Sequence, residues 1–247
     1  MKIYIRICVI TILFFLILSP INASYYKYDN MNYNDIDLYK TVYDIPHAVN
    51  IMETRDISNN KNFWIKYGTH LEKNKMIEAT CVAIGNICNI YVDNTELFGG
   101  NGLITVSDVI EILYQFETNI HPLCTNLFNT LPEYNGENKI NILLTDINEG
   151  WVPGGGWYKG YFDPMNYNTT YPYTNNTHLI VVDIYPTIHY PCDPAIHDVN
   201  EGIKSLTHQY QHMLHYWVDD TEYEWVNEGL SLISEYITMG AIPSTEI

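Results

Sequence analysis

The stretch that decides the fold is His208-Gln209-Tyr210-Gln211-His212, followed downstream by Trp225-Val226-Asn227-Glu228-Gly229-Leu230-Ser231. Residues four apart on a helix lie one turn above each other, so His208 and His212 can direct ring nitrogens at one ion. A following helix can bring Glu228 to the same ion. Two imidazoles and one carboxylate are a ligand set of catalytic zinc sites, in which water takes the fourth position. A histidine pair at this spacing also occurs with a purely structural role, and the Asn-Glu-Gly element is what favours the metal site.

Hydrophobic periodicity predicts the helix that carries the two histidines. It opens at Pro194 or Asp198, and the Asp-x-x-Glu spacing from Asp198 is typical of a capped start. One face is apolar and is predicted to be buried: Ile203, Leu206, Tyr210, Met213 and Trp217. The nearly opposite face is polar and is predicted to present imidazoles: Glu201, Lys204, His208, His212 and His215.

A second helix is predicted over residues 226–239, with Gly240 and Pro243 to end it. Its predicted apolar side consists of Leu230, Ile233 and Ile237. This helix would place the predicted third metal ligand in its first turn. The two helices together therefore form the expected frame of the metal site.

Upstream of these helices, short apolar runs predict a β-sheet. The runs at residues 88–93, 140–144 and 179–184 are rich in Ile, Val and Leu and have the length of strands. Between the first two, apolar residues recur at three- and four-residue spacing, which predicts a helix over about 105–120. Pro122 is expected to kink or end that helix.

Residues 207–215 and 225–231 resemble the zinc peptidases that combine an HExxH helix with a glutamate third ligand, and especially the hyicolysin-type family. More weakly, the resemblance covers residues 81–240. It implies an α+β fold of the zincin-like type, with a mixed β-sheet, an active-site helix and a following helix that bears the third ligand. It further implies that the two histidines and the glutamate bind Zn²⁺, and that the metal activates water to attack a peptide bond.

One position departs from the family pattern. Where these peptidases carry a glutamate as general base, this chain has Gln209, whose amide cannot take up a proton at neutral pH. Losing a positioned base typically lowers a rate by about 10²- to 10⁴-fold. Three explanations stay open: a naturally inactive relative, a variant inactivated by engineering, or a base supplied from elsewhere. An exported zinc metallopeptidase, active or inactive, is the predicted function, and a non-catalytic secreted or surface binding protein on the same scaffold is the alternative.

Five further residues are candidates for supporting the metal site: His215, Asp219, Asp220, Asn227 and Glu235. His215 is too far along the helix axis from the first ligand histidine to share its ion, so we interpret it as structural or as a partner of a ligand. Asp219 or Asp220 could orient a ligand imidazole, because metal-bound histidine usually donates its other N–H to a carboxylate or carbonyl group. Glu235 could support the site from the face that carries the third ligand. Asn227 is interpreted as a helix cap rather than a ligand.

The N-terminus has the pattern of a secretory signal, in which a basic start and a short apolar run precede a cleavage point between Ala23 and Ser24. The apolar run is too short for a comfortable membrane span, although an uncleaved anchor stays an alternative. We therefore expect a signal peptide over 1–23, a poorly defined extension over 24–80, and a zincin-like domain over 81–247 that is truncated relative to related enzymes. The protein is expected to be secreted or extracytoplasmic.

The net charge limits the classes of partner, and the cysteine content limits the possible disulfides. The formal net charge of −17 argues against nucleic acid or an anionic membrane as partner. A peptide or protein substrate is the expected partner, and nothing in the sequence indicates an oligomer. One or two disulfides are expected in an exported chain with four cysteines outside the signal, and the pairing stays open: Cys81, Cys88, Cys124 and Cys192.

Overall fold

The computed structural model describes residues 50–51, 60–68, 70–97, 103–192 and 194–240. The predicted signal peptide and its cleavage point lie outside these residues. None of the helices within the described ranges is long and apolar enough to cross a membrane.

The apolar runs form one mixed β-sheet, as expected. Its strands are β1 (Asn50–Ile51), β2 (Asn60–Tyr67), β3 (Lys73–Ile84), β4 (Cys88–Asp93), β5 (Ile140–Thr145), β6 (Gly160–Phe162) and β7 (Leu179–Asp183). The spatial order is β1-β3-β4-β5-β7-β6, with β2 also paired to β3. Strands β4, β5 and β7 are parallel, whereas β3 and β6 run antiparallel to their neighbours. Strand β6 is therefore an edge strand, and a separate hairpin joins β8 (His189–Tyr190) to β9 (Ile196–His197).

The predicted domain start at residue 81 is too late. Residue 81 falls inside β3, and β2 pairs with β3 along its whole length. In β2 the side chains of Phe63 and Ile65 are buried in a second core on the face of the sheet opposite the helices. The alternating strand pattern is short and lies among Asn and Lys residues, which is why composition alone suggested a poorly defined extension.

The helices are α1 (Val106–Gln115), a π-helical turn (Phe116–Ile120), α2 (His121–Phe128), a 3₁₀ helix (Pro164–Tyr167), α3 (Val199–Tyr216) and α4 (Glu224–Met239). The α-helix and the π-helical turn together cover residues 106–120, which agrees with the predicted helix, but the chain continues into α2 and does not leave the helical conformation at Pro122. The π-helical turn explains this, because Pro122 then stands in the first turn of α2, where its missing N–H is tolerated.

Helix α3 is held against the sheet by the predicted apolar face. The side chains of Ile203, Leu206, Tyr210 and Met213 are buried in the main core together with residues of α1, β4, β5 and β7. Trp217 is the exception, with 38% of its surface exposed. It follows the last turn of α3 as the C-cap and packs edge-on against Tyr167, at a ring distance of 4.9 Å, rather than into the core.

Helix α4 buries a different side from the predicted one. Leu230 is buried as expected, but Ile233 and Ile237 are partly exposed. The rest of the buried side is polar and consists of Ser231, Ser234 and Glu235. Gly240 ends the helix in the left-handed conformation, with φ of 71°. Buried hydroxyl and carboxyl groups need polar partners. Ser231 and Glu235 find theirs on α3, whereas the hydroxyl of Ser234 donates to the backbone oxygen of Leu230 within α4.

The four cysteines of the described residues are all free, so the expected disulfides are not formed there. Cys81, Cys88 and Cys124 are buried, whereas Cys192 is exposed. Burial raises the pKa of Cys124 to about 12, which keeps its thiol neutral. The three buried cysteines therefore act as small hydrophobic residues.

Candidate metal centre

Helix α3 presents two imidazoles side by side. It begins behind Asp198, whose side chain accepts a hydrogen bond from the backbone N–H of Asn200. Two turns of unbroken helix later, His208 and His212 occupy one face, with ring centroids 4.7 Å apart. Both rings are partly buried, which limits their freedom to turn away from each other.

Helix α4 brings Glu228 to the same point. One carboxylate oxygen of Glu228 lies 3.2 Å from Nε2 of His208, and the other lies 3.4 Å from Nε2 of His212. The three ligand atoms all lie within 4.8 Å of one another. Among the described residues, this is the one cluster of three or more His, Cys, Asp or Glu side chains that could hold a metal ion.

The far nitrogen of each imidazole is held by a residue of α4. Nδ1 of His208 donates to the carboxylate of Glu235 at 2.7 Å, and Nδ1 of His212 donates to the amide oxygen of Asn227 at 3.0 Å. These bonds fix the rings so that Nε2 of each points toward Glu228. The cap role expected for Asn227 is wrong, because α4 begins earlier than predicted and has Tyr223 at its N-cap, without a side-chain cap.

Ser231 and Gln211 complete this support, and sequence reasoning missed both. The buried hydroxyl of Ser231 donates to the side-chain oxygen of Gln211 at 2.5 Å and lies 3.2 Å from Nδ1 of His212. Their positions could have indicated this role, since Gln211 directly precedes the second histidine and Ser231 lies one turn after Asn227. Both are small or neutral polar residues at the α3–α4 contact, where an unpaired charge would be costly.

The electrostatics of the site favour a cation. Burial alone would lower the pKa of His208, but hydrogen bonds with Glu228 and Glu235 outweigh it and raise the pKa to about 9. Hydrogen bonds with His208 and His212 hold the pKa of the Glu228 carboxyl well below its usual range. The protein thus surrounds the first imidazole with two carboxylates of one helix and stabilises a positive charge between them.

The side chain of Gln209 bonds to the sheet. Its side-chain oxygen accepts the backbone N–H of Phe162, the last residue of β6, at 2.9 Å. The position that carries the general base in the resembling peptidases is therefore occupied by a neutral amide that is engaged with the edge strand.

The remaining candidates take different places. His215 is buried and its pKa is lowered by burial, which agrees with a structural role, whereas its grouping with the polar face of the helix is wrong. Asp219 accepts hydrogen bonds from the backbone and hydroxyl of Thr221 in the turn after α3. Asp220 is exposed in the same turn. Asp219 or Asp220 was expected to accept a hydrogen bond from a ligand imidazole, but the Nδ1 atoms of both imidazoles donate to Glu235 and Asn227 of α4 instead.

Comparison with known proteins agrees with this geometry. No protein-family model matches the chain. The chain is 26% identical over 151 residues to the neutral metalloprotease ShpI of Staphylococcus hyicus, an alignment that covers 58% of this chain and 34% of that protein. The chain therefore spans about a third of the length of this relative. The comparison supports a metallopeptidase-type protein, and the α+β fold with its mixed sheet is compatible with a zincin-like domain.

Proposed function

We propose that this chain is an exported protein of the zinc metallopeptidase type, which binds Zn²⁺ through His208, His212 and Glu228. We further propose that Gln209 leaves it with little or no peptidase activity. The observation that carries the proposal is the meeting of two imidazole Nε2 atoms and one carboxylate within 4.8 Å. A peptide or protein is the proposed partner.

The donor set fits zinc. With Nδ1 of both imidazoles donating to α4, each neutral ring has only a lone pair at Nε2 to direct at the site. The carboxylate of Glu228 is also an acceptor. Three acceptors that face one another repel unless a cation lies between them, and two nitrogens with one oxygen suit Zn²⁺. In the metal-free protein, the raised pKa of His208 supplies that cation as a proton.

The chemistry of the site turns on residue 209. Bound zinc would supply a Lewis acid and acidify a water molecule. Hydrolysis also needs a group that accepts the proton of that water, and Gln209 cannot accept one. His208, His212 and Glu228 are suited to hold the metal, while Glu235 and Asn227 keep the rings oriented. The non-catalytic binding protein on the same scaffold is the second candidate, and Gln209 is the residue that favours it.

The test is metal analysis joined to a peptidase assay on the secreted chain. We expect about one zinc per molecule after dialysis, as for a three-ligand site, and little or no cleavage of casein or of a mixed peptide library. His208→Ala should lose the zinc, whereas His70→Ala, a change at an exposed histidine far from α3 in the sequence, should keep it. A protein that retains no zinc at micromolar concentrations of the free ion would refute the metal site. Zinc-dependent cleavage that His208→Ala abolishes would refute the proposed inactivity.

A further inference from the structure

We propose that Gln209 is a positioning residue, which latches the edge strand β6 to α3 and occupies a backbone donor that an extended peptide would otherwise use. The latch concerns one wall of the same site, so its consequence for ligands rests on the proposed function. Its structural part stands on contacts between α3 and β6 alone.

Three side chains of α3, each one turn apart, run along β6. Glu201 lies 3.3 Å from the ammonium group of Lys159, and the hydroxyl of Ser205 donates to the backbone oxygen of Lys159 at 2.7 Å. One turn further on, Gln209 accepts the N–H of Phe162 at 2.9 Å. The strand is thus fastened to the helix at both of its ends, once through a carbonyl group and once through an N–H group.

The N–H of Phe162 points off the edge of the sheet. Strand β6 runs antiparallel to β7, and the backbone oxygen of Lys159 accepts the N–H of Asp183 at 2.9 Å. Backbone groups of alternate residues in such a ladder face opposite sides, so Lys159 and Tyr161 bond to β7 and Phe162 faces outward. Because β6 is the last strand of the sheet among the described residues, no strand in that part of the chain pairs with this outward donor. The side-chain oxygen of Gln209 accepts this N–H instead.

Gly160 lets the helix approach this closely. A Cβ at Gly160 would lie 2.5 Å from the hydroxyl oxygen of Ser205 and 2.6 Å from the backbone oxygen of Val181. Any other residue would therefore force β6 away from α3 or from β7. The glycine allows the close approach, and the three α3 side chains then bond to the strand, so that the helix covers its edge.

The latch has a consequence for ligands. Extended peptides bind exposed sheet edges by pairing with outward N–H and C=O groups. An open edge also invites unwanted pairing with other chains, and proteins cover such edges with side chains or helices. With Gln209 on the N–H of Phe162, a peptide that reaches the metal gains no hydrogen bond at that position. Gln209 therefore acts against strand addition beside the metal centre.

Amide hydrogen exchange tests the structural part, with or without metal. We expect Gln209→Ala to speed exchange of the Phe162 amide by about 2- to 10-fold, which corresponds to one ordinary hydrogen bond. Gln209→Glu should keep the protection, because a carboxylate also accepts this N–H. The amide of Tyr161, which faces β7, should exchange at the same rate in all three proteins. Equal exchange of the Phe162 amide in wild type and Gln209→Ala would overturn the latch.

Two hydroxamates test the consequence on the zinc-loaded protein. A tripeptide hydroxamate offers a backbone to the strand as well as a metal ligand, whereas acetohydroxamate offers the metal ligand alone. We expect Gln209→Ala to bind the tripeptide hydroxamate about 2- to 10-fold more tightly than wild type, and both proteins to bind acetohydroxamate equally. Equal affinity for the tripeptide compound would overturn the claim that Gln209 opposes strand addition. A protein without zinc would refute the proposed function, while the exchange experiment would still test the latch.

Discussion

The carboxylate of Glu235 lies 2.7 Å from Nδ1 of His208, on the opposite edge of the ring from the carboxylate of Glu228. Both carboxylates come from α4, two turns apart, so one imidazole of α3 is held between two acidic groups of a single neighbouring helix. Glu228 is half exposed, whereas Glu235 is 7% exposed. The exposed group is placed to bind an ion, and the buried group is placed to orient the ring.

We expect Glu235→Gln to weaken zinc binding by about 10- to 100-fold, because outer partners of this kind fix the ring and raise its basicity. Competition with a chromogenic chelator at neutral pH measures the change. Glu224→Gln is the matched control, since Glu224 lies exposed at the start of the same helix, and it should bind zinc like wild type. Equal affinity of the two variants would mean that Glu235 does not tune the site.

A buried histidine far from the metal centre makes stability depend on pH. His178 is 1% exposed, its Nε2 donates to the backbone oxygen of Pro132 at 3.0 Å, and its Nδ1 accepts from the hydroxyl of Tyr167 at 2.8 Å. Because the carbonyl group can only accept, Nε2 carries the proton, and the neutral ring then leaves Nδ1 free to accept the hydroxyl of Tyr167. Burial lowers the pKa of His178, although the bond to Pro132 acts in the opposite direction.

For a lowered histidine pKa, the stabilisation is fully present above the unfolded-state pKa, near 6.5, and is lost as pH falls toward the folded-state pKa and below it. We therefore expect the contribution of His178 to the free energy of unfolding in urea to decrease between pH 7 and pH 5. Between pH 7 and pH 5, wild type should therefore lose stability relative to His178→Gln, because the amide can donate and accept without titrating. Parallel pH profiles for the two proteins would contradict this account.

Tyr210 offers a test of core packing beneath the metal helix. Its ring is fully buried and packs edge-on against Phe116 at 5.1 Å, but its hydroxyl oxygen has no hydrogen-bond partner among the described residues. We expect Tyr210→Phe to leave the free energy of unfolding unchanged or to raise it by up to about 2 kcal/mol, since it removes a buried unpaired group. Tyr210→Ala should lower it by about 3–5 kcal/mol through the cavity left behind. A loss above about 1 kcal/mol for Tyr210→Phe would reveal a partner such as a buried water.

The elements around the metal centre could be predicted because their signals are local. A 3.6-residue apolar period with an acidic N-cap at Asp198 marks α3, and runs of Ile, Val and Leu mark β4, β5 and β7. The ligand face follows from the i, i+4 spacing of the histidines. The mixed α+β class could therefore be predicted from the sequence. Strand β6 has three residues and is too short to show an alternating apolar pattern.

The supporting contacts could not be predicted in the same way, because they depend on how the elements meet. Asn227 reads as a cap only if α4 begins beside it, and its true role appears once the helix starts at Glu224. The bond between Gln209 and Phe162 joins residues 47 positions apart. No periodicity encodes such a pair. Sequence reasoning could say what Gln209 cannot do, and the structure adds what it does instead.

Gln209→Glu separates a lost base from an incomplete cleft. A carboxylate at this position can keep the bond from Phe162 with one oxygen and offer the other as a proton acceptor. We expect zinc content to stay the same and peptide hydrolysis to rise by about 10²- to 10⁴-fold, which is the usual contribution of a positioned base. Gln209→Ala is the control, because it removes the amide without adding an acceptor and should not gain activity. Adding His208→Ala to the glutamate variant should abolish both the zinc and the gained activity. If the zinc-loaded glutamate variant cleaves peptides no faster than Gln209→Ala, the missing base is not what limits this chain. The deficit would then lie in the groups that bind the peptide or stabilise the oxyanion, and the non-catalytic role would be the better account.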